Sequence, residues 1–346
     1  MENPKAKEEE LFQTPILFLI FKRPDTTAKV FEVIRSMRPA RLFIGADGPR
    51  EDREDEVEKC EETRAIVSQV DWPCEVRTLF QEKNLGCRGA PPAAITWFFE
   101  HVEEGIILED DVLPSKDFFY FCQELLARFR DDTRIMAVNG SSMPTPRSRQ
   151  KQSSYYFSNW DHIWGWATWR RAWAYYDLSM DKYEKAIQGE YFYDGYTSLD
   201  EHYYWKNTLD RSYYHSESVT WWDHQWVFAR RINSGLVAVP TRNMVVNLGF
   251  GHEATNTHTV RWQAPQVEKM EFPLRHPDII MQDRVTDDEV FRLYSTNPVS
   301  RFRVRTRRVL ERLGLGGLRT LLAAGMRRMN GLFSARRPGG IFQKSS

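Results

Sequence analysis

Glu109, Asp110 and Asp111 stand in a row directly after the apolar run 105–108, and Val112 and Leu113 resume that run. Carboxylates packed this closely repel and raise one another's pKa unless something neutralises them. One chemistry for such a row is to hold a hard divalent cation, Mg2+ or Mn2+, which takes oxygen ligands and shares them with substrate phosphates. As a Lewis acid the ion would stabilise a departing diphosphate. The plainer alternative is a helix N-terminus decorated with acids, which the macrodipole favours. Arg23 and Arg88, which follow other short apolar or turn segments, favour the first reading.

A second acid, Asp223, sits between tryptophans in Trp221-Trp222-Asp223-His224-Gln225-Trp226. Aromatic walls desolvate a carboxylate and raise its pKa, which suits a general base. The same residue could cap a helix opening at His224, and the two roles are compatible. Asp161, in Asn159-Trp160-Asp161-His162, is a weaker version of the same pattern. His252 and His258 lie in a glycine-rich polar stretch, 247–259. Each is either a metal ligand or phosphate contact, or plain polar surface. The Asn84-Leu85-Gly86 turn could let backbone approach a ligand, although Asn and Gly are ordinary turn residues.

The elements that must position these residues are read from period and punctuation. Apolar runs at 15–25, 41–50, 74–81, 105–110 and 134–140 read as strands. Segments 26–37, 51–70, 93–102 and 115–130 read as helices, the last with Ser115 as its cap. This alternation predicts an α/β domain with a mostly parallel sheet and right-handed crossovers. Ligands on such sheets bind beyond the carboxyl ends of the strands. After Gly140 the texture changes: nine of the twelve tryptophans fall between Trp160 and Trp226. Tryptophan faces stack on sugar rings, but half of these residues serve equally well as an aromatic core.

Composition sets further bounds. The 346 residues are 41% hydrophobic, enough for one large domain or two. No apolar run reaches the roughly 18–20 residues of a membrane span, and the acidic start is no secretory signal. The four cysteines show no CxxC spacing, which points to free thiols and a cytosolic setting rather than zinc. Zero net charge hides an asymmetry: from Arg301 onward there are eleven Arg and one Lys against Glu311 alone. That tail, 301–337, is basic and amphipathic, and either lies on an anionic membrane surface or packs on the body or a partner.

Taken in order, the stretches "PILFLIFKRPDTT", "LFIGADGPR", "FQEKNLGC", "GIILEDDVLPSKDFF", "HIWGWATWRRAW", "WDHQWVFARRINSGLVAVP" and "NLGFGHEATNT" resemble a nucleotide-diphospho-sugar transferase of the GT-A fold. The similarity is to a bacterial group of surface-polysaccharide gene clusters, and more distantly to the N-acetylglucosaminyltransferase I family. It covers about residues 15–260. The resemblance implies a Rossmann-like, mostly parallel sheet flanked by helices, with an aromatic-rich acceptor half and a basic helical tail. The expected division is a disordered leader at 1–13, a nucleotide-sugar-binding half at 14–140, an acceptor and catalytic half at 141–295, and the tail at 296–346.

The resemblance also implies roles. Arg23, Asp47, Asn84, Arg88, Glu109 and Asp110 would contact a nucleotide-sugar donor. Asp111 would be the main ligand of Mn2+ or Mg2+ in a Glu-Asp-Asp form of the DXD motif, with His258 a further ligand. Asn256 stands where related sequences often carry histidine, which weakens the case for a loop ligand. Asp223 would deprotonate the acceptor hydroxyl, and Trp164, Trp166 and Trp222 would line the acceptor. The implied activity is an inverting, metal-dependent glycosyltransferase using a UDP-sugar and a glycan or lipid-linked acceptor, peripheral on the cytoplasmic membrane face. The alternative is a sugar-nucleotidyltransferase, whose usual glycine-rich loop after the first strand is lacking in "FKRPDTT". A non-catalytic sugar- or nucleotide-binding protein is a further alternative.

Overall fold

The structure, a computed structural model, describes residues 11–189, 192, 195–249 and 266–294. Short apolar runs with no alternation become strands covered on both faces. β1 (Ile16–Ile20) is buried at every position, and β2 (Arg41–Ala46) at all but its first. With β3 (Glu75–Phe80), β4 (Glu104–Glu109), β6 (Ile135–Asn139), β7 (Tyr155–Ser158), β8 (Trp166–Trp169) and β9 (Leu236–Pro240) they form one eight-stranded sheet, ordered β3-β2-β1-β4-β8-β6-β9-β7. Pairing is parallel from β3 through β4 and between β6 and β9, while β8 and β7 run antiparallel to their neighbours. This is the expected mixed α/β, mostly parallel, Rossmann-like architecture. β5 (Val112–Pro114) pairs with β10 (Val245–Asn247) in a separate ribbon.

Helices cover both faces. α1 (Pro24–Met37) buries Val30, Phe31 and Ile34, and α4 (Lys116–Arg128) buries Phe118, Phe119, Phe121, Leu125 and Leu126, against the face carrying Ile16, Phe18 and Ile20. α3 (Gly86–His101) packs Ile95, Phe98 and Phe99 on the opposite face, against Leu17, Leu19 and Phe43. Each such fully buried side chain contributes about 1.5–3 kcal/mol. α2 (Glu54–Val67) lies beside α1.

The structure departs from the sequence reading in several places. β7, β8 and β10 lie in aromatic or polar segments that carry no period-2 signal. α3 starts at Gly86, inside the stretch expected to be a turn, and runs through Pro91 and Pro92. Ser115 occupies the N-cap position of α4, but its hydroxyl makes no capping bond. Phe12, placed by sequence in a disordered leader, is buried and bridges to Pro39. All four cysteines are free thiols. Among the described residues, no helix is long and apolar enough to cross a membrane. The basic tail lies outside the described residues, as do His252 and His258.

Register is what matters for the site. Ile20 pairs with Ala46, and Leu19 with both Gly45 and Glu109. The carboxyl ends of β1, β2 and β4 are therefore level, and the segments that leave them meet along one edge.

Candidate functional site

Arg23 stands at the N-cap of α1 and reaches across to the end of β4. Its Nη1 donates to Asp110 Oδ1 at 3.0 Å and to Asp111 Oδ2 at 2.7 Å. Asp110 Oδ2 accepts from the Phe21 amide at 3.0 Å. Desolvation pulls the Arg23 pKa down, but Asp110 and Asp111 raise it further, so the guanidinium stays charged. The acids feel the opposite pressure. Burial pushes the Asp110 carboxyl up to about 6, against the pull of Arg23. Asp111 is raised for the same first reason. Glu109 is raised well above the usual range, by burial first and then by the charges of Asp111, Asp110 and Asp223. The three acids thus share the Arg23 guanidinium as their counter-charge among the described residues.

The donor set suits a hard cation in one mode. Its oxygens are carboxylates, the type Mg2+ takes one or two of while keeping waters and substrate phosphates. A protein-built cage is not present: among the described residues, no group of three His, Cys, Asp or Glu side chains converges as a metal site. The β5–β10 ribbon brings the start of the glycine-rich stretch onto Asp111. The Leu248 amide donates to the Asp111 carbonyl at 2.7 Å, and Gly249 lies against the carboxylate. A β-carbon at Gly249 would collide with Asp111 Oδ2 and crowd its Cγ at 2.9 Å. Gly249→Ala is therefore expected to turn the Asp111 carboxylate away and weaken divalent-ion binding about tenfold, with a melting temperature within a few degrees of wild type. Mn2+ titration followed by calorimetry checks this, and unchanged Mn2+ affinity would refute it.

Asp47, at the end of β2, lies beside Asn84, and its carboxylate is spent on the chain. Oδ1 accepts from the Gly48 amide at 2.9 Å and the Leu85 amide at 2.8 Å; Oδ2 accepts from Gly86 N at 3.0 Å and Asn84 Nδ2 at 2.9 Å. Four donors use the capacity of one carboxylate. Burial raises its pKa, and the backbone bonds oppose that rise. Asn84 Nδ2 also donates to the Gly48 carbonyl at 2.8 Å. Arg88, in the first turn of α3, donates from Nη2 to the Leu178 carbonyl at 3.2 Å. Its Nη1 is buried and has no acceptor among the described residues.

Asp223 opens the helix Asp223–Ile232. Burial first, and then nearby charges that include Asp223, raise the pKa of Glu109, of Asp161 and of Tyr176. Among the described residues, no hydrogen bond ends on its carboxylate. Tyr176, absent from the sequence reading, stacks on Trp173 at 4.2 Å and donates its hydroxyl to the Trp222 carbonyl at 3.2 Å. It thereby fixes the residue that precedes Asp223. Asp161 is placed differently: its side chain is fully buried against Arg230, Oδ2 to Nε at 3.5 Å.

The tryptophan wall is corrected. Trp166 is 1% exposed and Trp222 2%, with their rings packed on each other and on Trp173, and Trp166 also on Trp226, at 5.8–6.3 Å. Faces already covered by other indoles cannot stack on a sugar. Trp164 alone of the three is half-buried, beside Ser141, His162 and Asn247 at a narrow cleft. Burial lowers the His162 pKa to about 4, so that ring is neutral near pH 7.

No family model matches the chain, and no curated protein matches it. Among solved structures it is similar to a UTP-bound UGPase from Acinetobacter baumannii, with 7% identity, 68% of this chain and 88% of that one covered, and a TM-score of 0.35. It is also similar to the inositol-1-phosphate CTP transferase from T. maritima, at 10% identity, 66% and 85% coverage, and a TM-score of 0.33. A third is the 4-diphosphocytidyl-2C-methyl-D-erythritol synthase from Anaerococcus prevotii, at 11% identity, 51% and 78% coverage, and a TM-score of 0.27. The expectation of an inverting glycosyltransferase is corrected: the solved structures found are named as a UGPase, a CTP transferase and a diphosphocytidyl-methylerythritol synthase, and none of these three is a glycosyltransferase. Likeness of this extent carries no activity across to this chain.

Proposed function

We propose that the carboxyl edge of β1, β2 and β4 binds the phosphates of a nucleotide and that the chain is a sugar-nucleotidyltransferase. The observation that carries this is the buried row Glu109-Asp110-Asp111 held against Arg23; Arg88 adds an Nη1 that has no acceptor among the described residues. Phosphate cannot approach three carboxylates unless positive charge screens them. Arg23 and Arg88 supply part of that charge. Asp111 and Asp110 would hold a Mg2+ or Mn2+ ion, which supplies the rest by neutralising phosphate oxygens.

In the reaction, an oxygen of a sugar phosphate attacks the α-phosphorus of a nucleoside triphosphate. The bond from that phosphorus to the bridging oxygen breaks, and diphosphate leaves. Positioning and electrostatics do most of the work in phosphoryl chemistry. A sugar phosphate is already an oxyanion at pH 7, so it needs no general base. Asp223, whose carboxylate accepts no hydrogen bond among the described residues, is assigned to the hydroxyls of the sugar instead. A second reading, nucleotide binding without transfer, is favoured by one feature. The link after β1 has no glycine, and its Phe21 amide is already donated to Asp110 rather than left for a phosphate.

Calorimetry with UTP and CTP, with and without Mg2+, followed by a diphosphate-release assay over a panel of sugar 1-phosphates, tests both readings. The expected result is Mg2+-dependent binding and release with one sugar phosphate. Binding without release on any sugar phosphate would leave only the second reading. No nucleotide binding with or without Mg2+ would sink both.

A further inference from the structure

We infer that Asp47 acts on the nucleotide at a distance, as a positioning residue that sets Arg88, and does not touch the ligand. The inference rests on the nucleotide-binding reading above and names a device within that site.

The geometry runs in one direction. Arg64, from α2, donates Nη2 to the Asp47 carbonyl at 3.1 Å and to the Gln81 carbonyl at 2.8 Å, tying the ends of β2 and β3 together. From that anchor the Asp47 carboxylate takes the amides of Leu85 and Gly86 and the Asn84 side chain. The two amides are donors that a helix leaves orphaned where it begins, and here a carboxylate 38 and 39 positions earlier in the chain satisfies them. A remote N-cap of this kind explains why α3 begins at Gly86, with a left-handed φ of 71° there, despite the prolines one turn further on.

Arg88 is the third residue of that helix. Its backbone position follows the capped turn, and its guanidinium is held from the far side by the Leu178 carbonyl. What remains is Nη1, buried and without an acceptor among the described residues. That N–H has no acceptor among the described residues, and an anion would satisfy it. Arg88 thus has a donor to give and Asp47 has no acceptor left to offer. A direct contact from Asp47 to a base or ribose would have to break one of its four bonds.

The test is a double-mutant cycle with UDP and Mg2+ as the probe, read by calorimetry, with melting temperatures measured alongside. Asp47→Asn and Arg88→Ala are each expected to weaken UDP binding about tenfold, the scale of one charge-assisted hydrogen bond. The double variant is expected to be no weaker than the worse single, because the first substitution acts only through the second residue. Asn84→Ala, a milder break in the same clamp, should show the same non-additivity with Arg88→Ala, and it carries the test if Asp47→Asn does not fold. Additive losses, about a hundredfold in the double, would mean that Asp47 meets the ligand itself and would overturn the inference alone. Failure of the wild-type chain to bind UDP would overturn the nucleotide reading and this inference together.

Discussion

Asp111→Ala is expected to weaken Mg2+-dependent UTP binding at least about 100-fold, roughly 2.7 kcal/mol, while leaving the fold as stable as before or more so. The two effects have one cause. Asp111 is a buried carboxylate beside two others, and burial raises its pKa and that of Asp110. Removing one member relieves repulsion among the acids, and Arg23 keeps its 3.0 Å bond to Asp110. With ligand, the same deletion removes the proposed ion's main oxygen donor.

The pH dependence has a definite sign. The Asp110 carboxyl lies at about 6 when folded, above its ordinary 3.8. The folded state therefore takes up the proton first, and stability falls as pH rises from about 4 through about 6. Urea denaturation in EDTA at pH 4.5 and pH 7.5 should show this loss in the wild type. Asp111→Ala should shrink it, and Mg2+ with UTP should offset it in the wild type only. Unimpaired UTP binding by Asp111→Ala would remove the acid row from the function.

Arg230→Ala is expected to cost about 3–5 kcal/mol of folding stability, the most of any single side chain considered. Arg230 and Asp161 both have fully buried side chains. Burial lowers the Arg230 pKa to about 10, against the pull of Asp161. The guanidinium also donates from Nη1 to the Gly235 carbonyl and from Nη2 to the Asn159 carbonyl, both at 2.6 Å. Truncation strands a carboxylate and two carbonyls in the interior at once. The pair Asp161→Leu with Arg230→Met should be less damaging than Arg230→Ala, because no lone charge is left. Urea denaturation at pH 7 decides it, and a loss under about 1 kcal/mol for Arg230→Ala would contradict the burial argument. Since Arg230 lies on the same helix that Asp223 opens, Arg230→Ala should also loosen whatever Asp223 holds.

Legibility in the sequence followed the range of the physics. The α/β alternation of residues 15–140 could be read because a strand covered on both faces must be apolar along its length, whatever lies above it. The acid row announced itself because adjacent carboxylates repel regardless of fold. β8 could not be read: Trp166–Trp169 shows no alternation, and its place between β4 and β6 depends on partners from both sides. The indole stretch was ambiguous for a related reason, since a tryptophan suits a core or a sugar equally well until its neighbours are known.

By itself, then, the sequence determined which segments must be buried, which strand ends would be charged and that Asp110 and Asp111 needed a counter-charge. Only the tertiary structure decided who answers whom. It set Arg23 against Asp110 and Asp111 across 87 and 88 positions, placed the Asp47 carboxylate on the amides of Leu85 and Gly86, and closed Trp166 and Trp222 into the core. Hydrogen bonds and burial depend on separations of a few ångströms between residues far apart in the chain, and no local pattern encodes those distances.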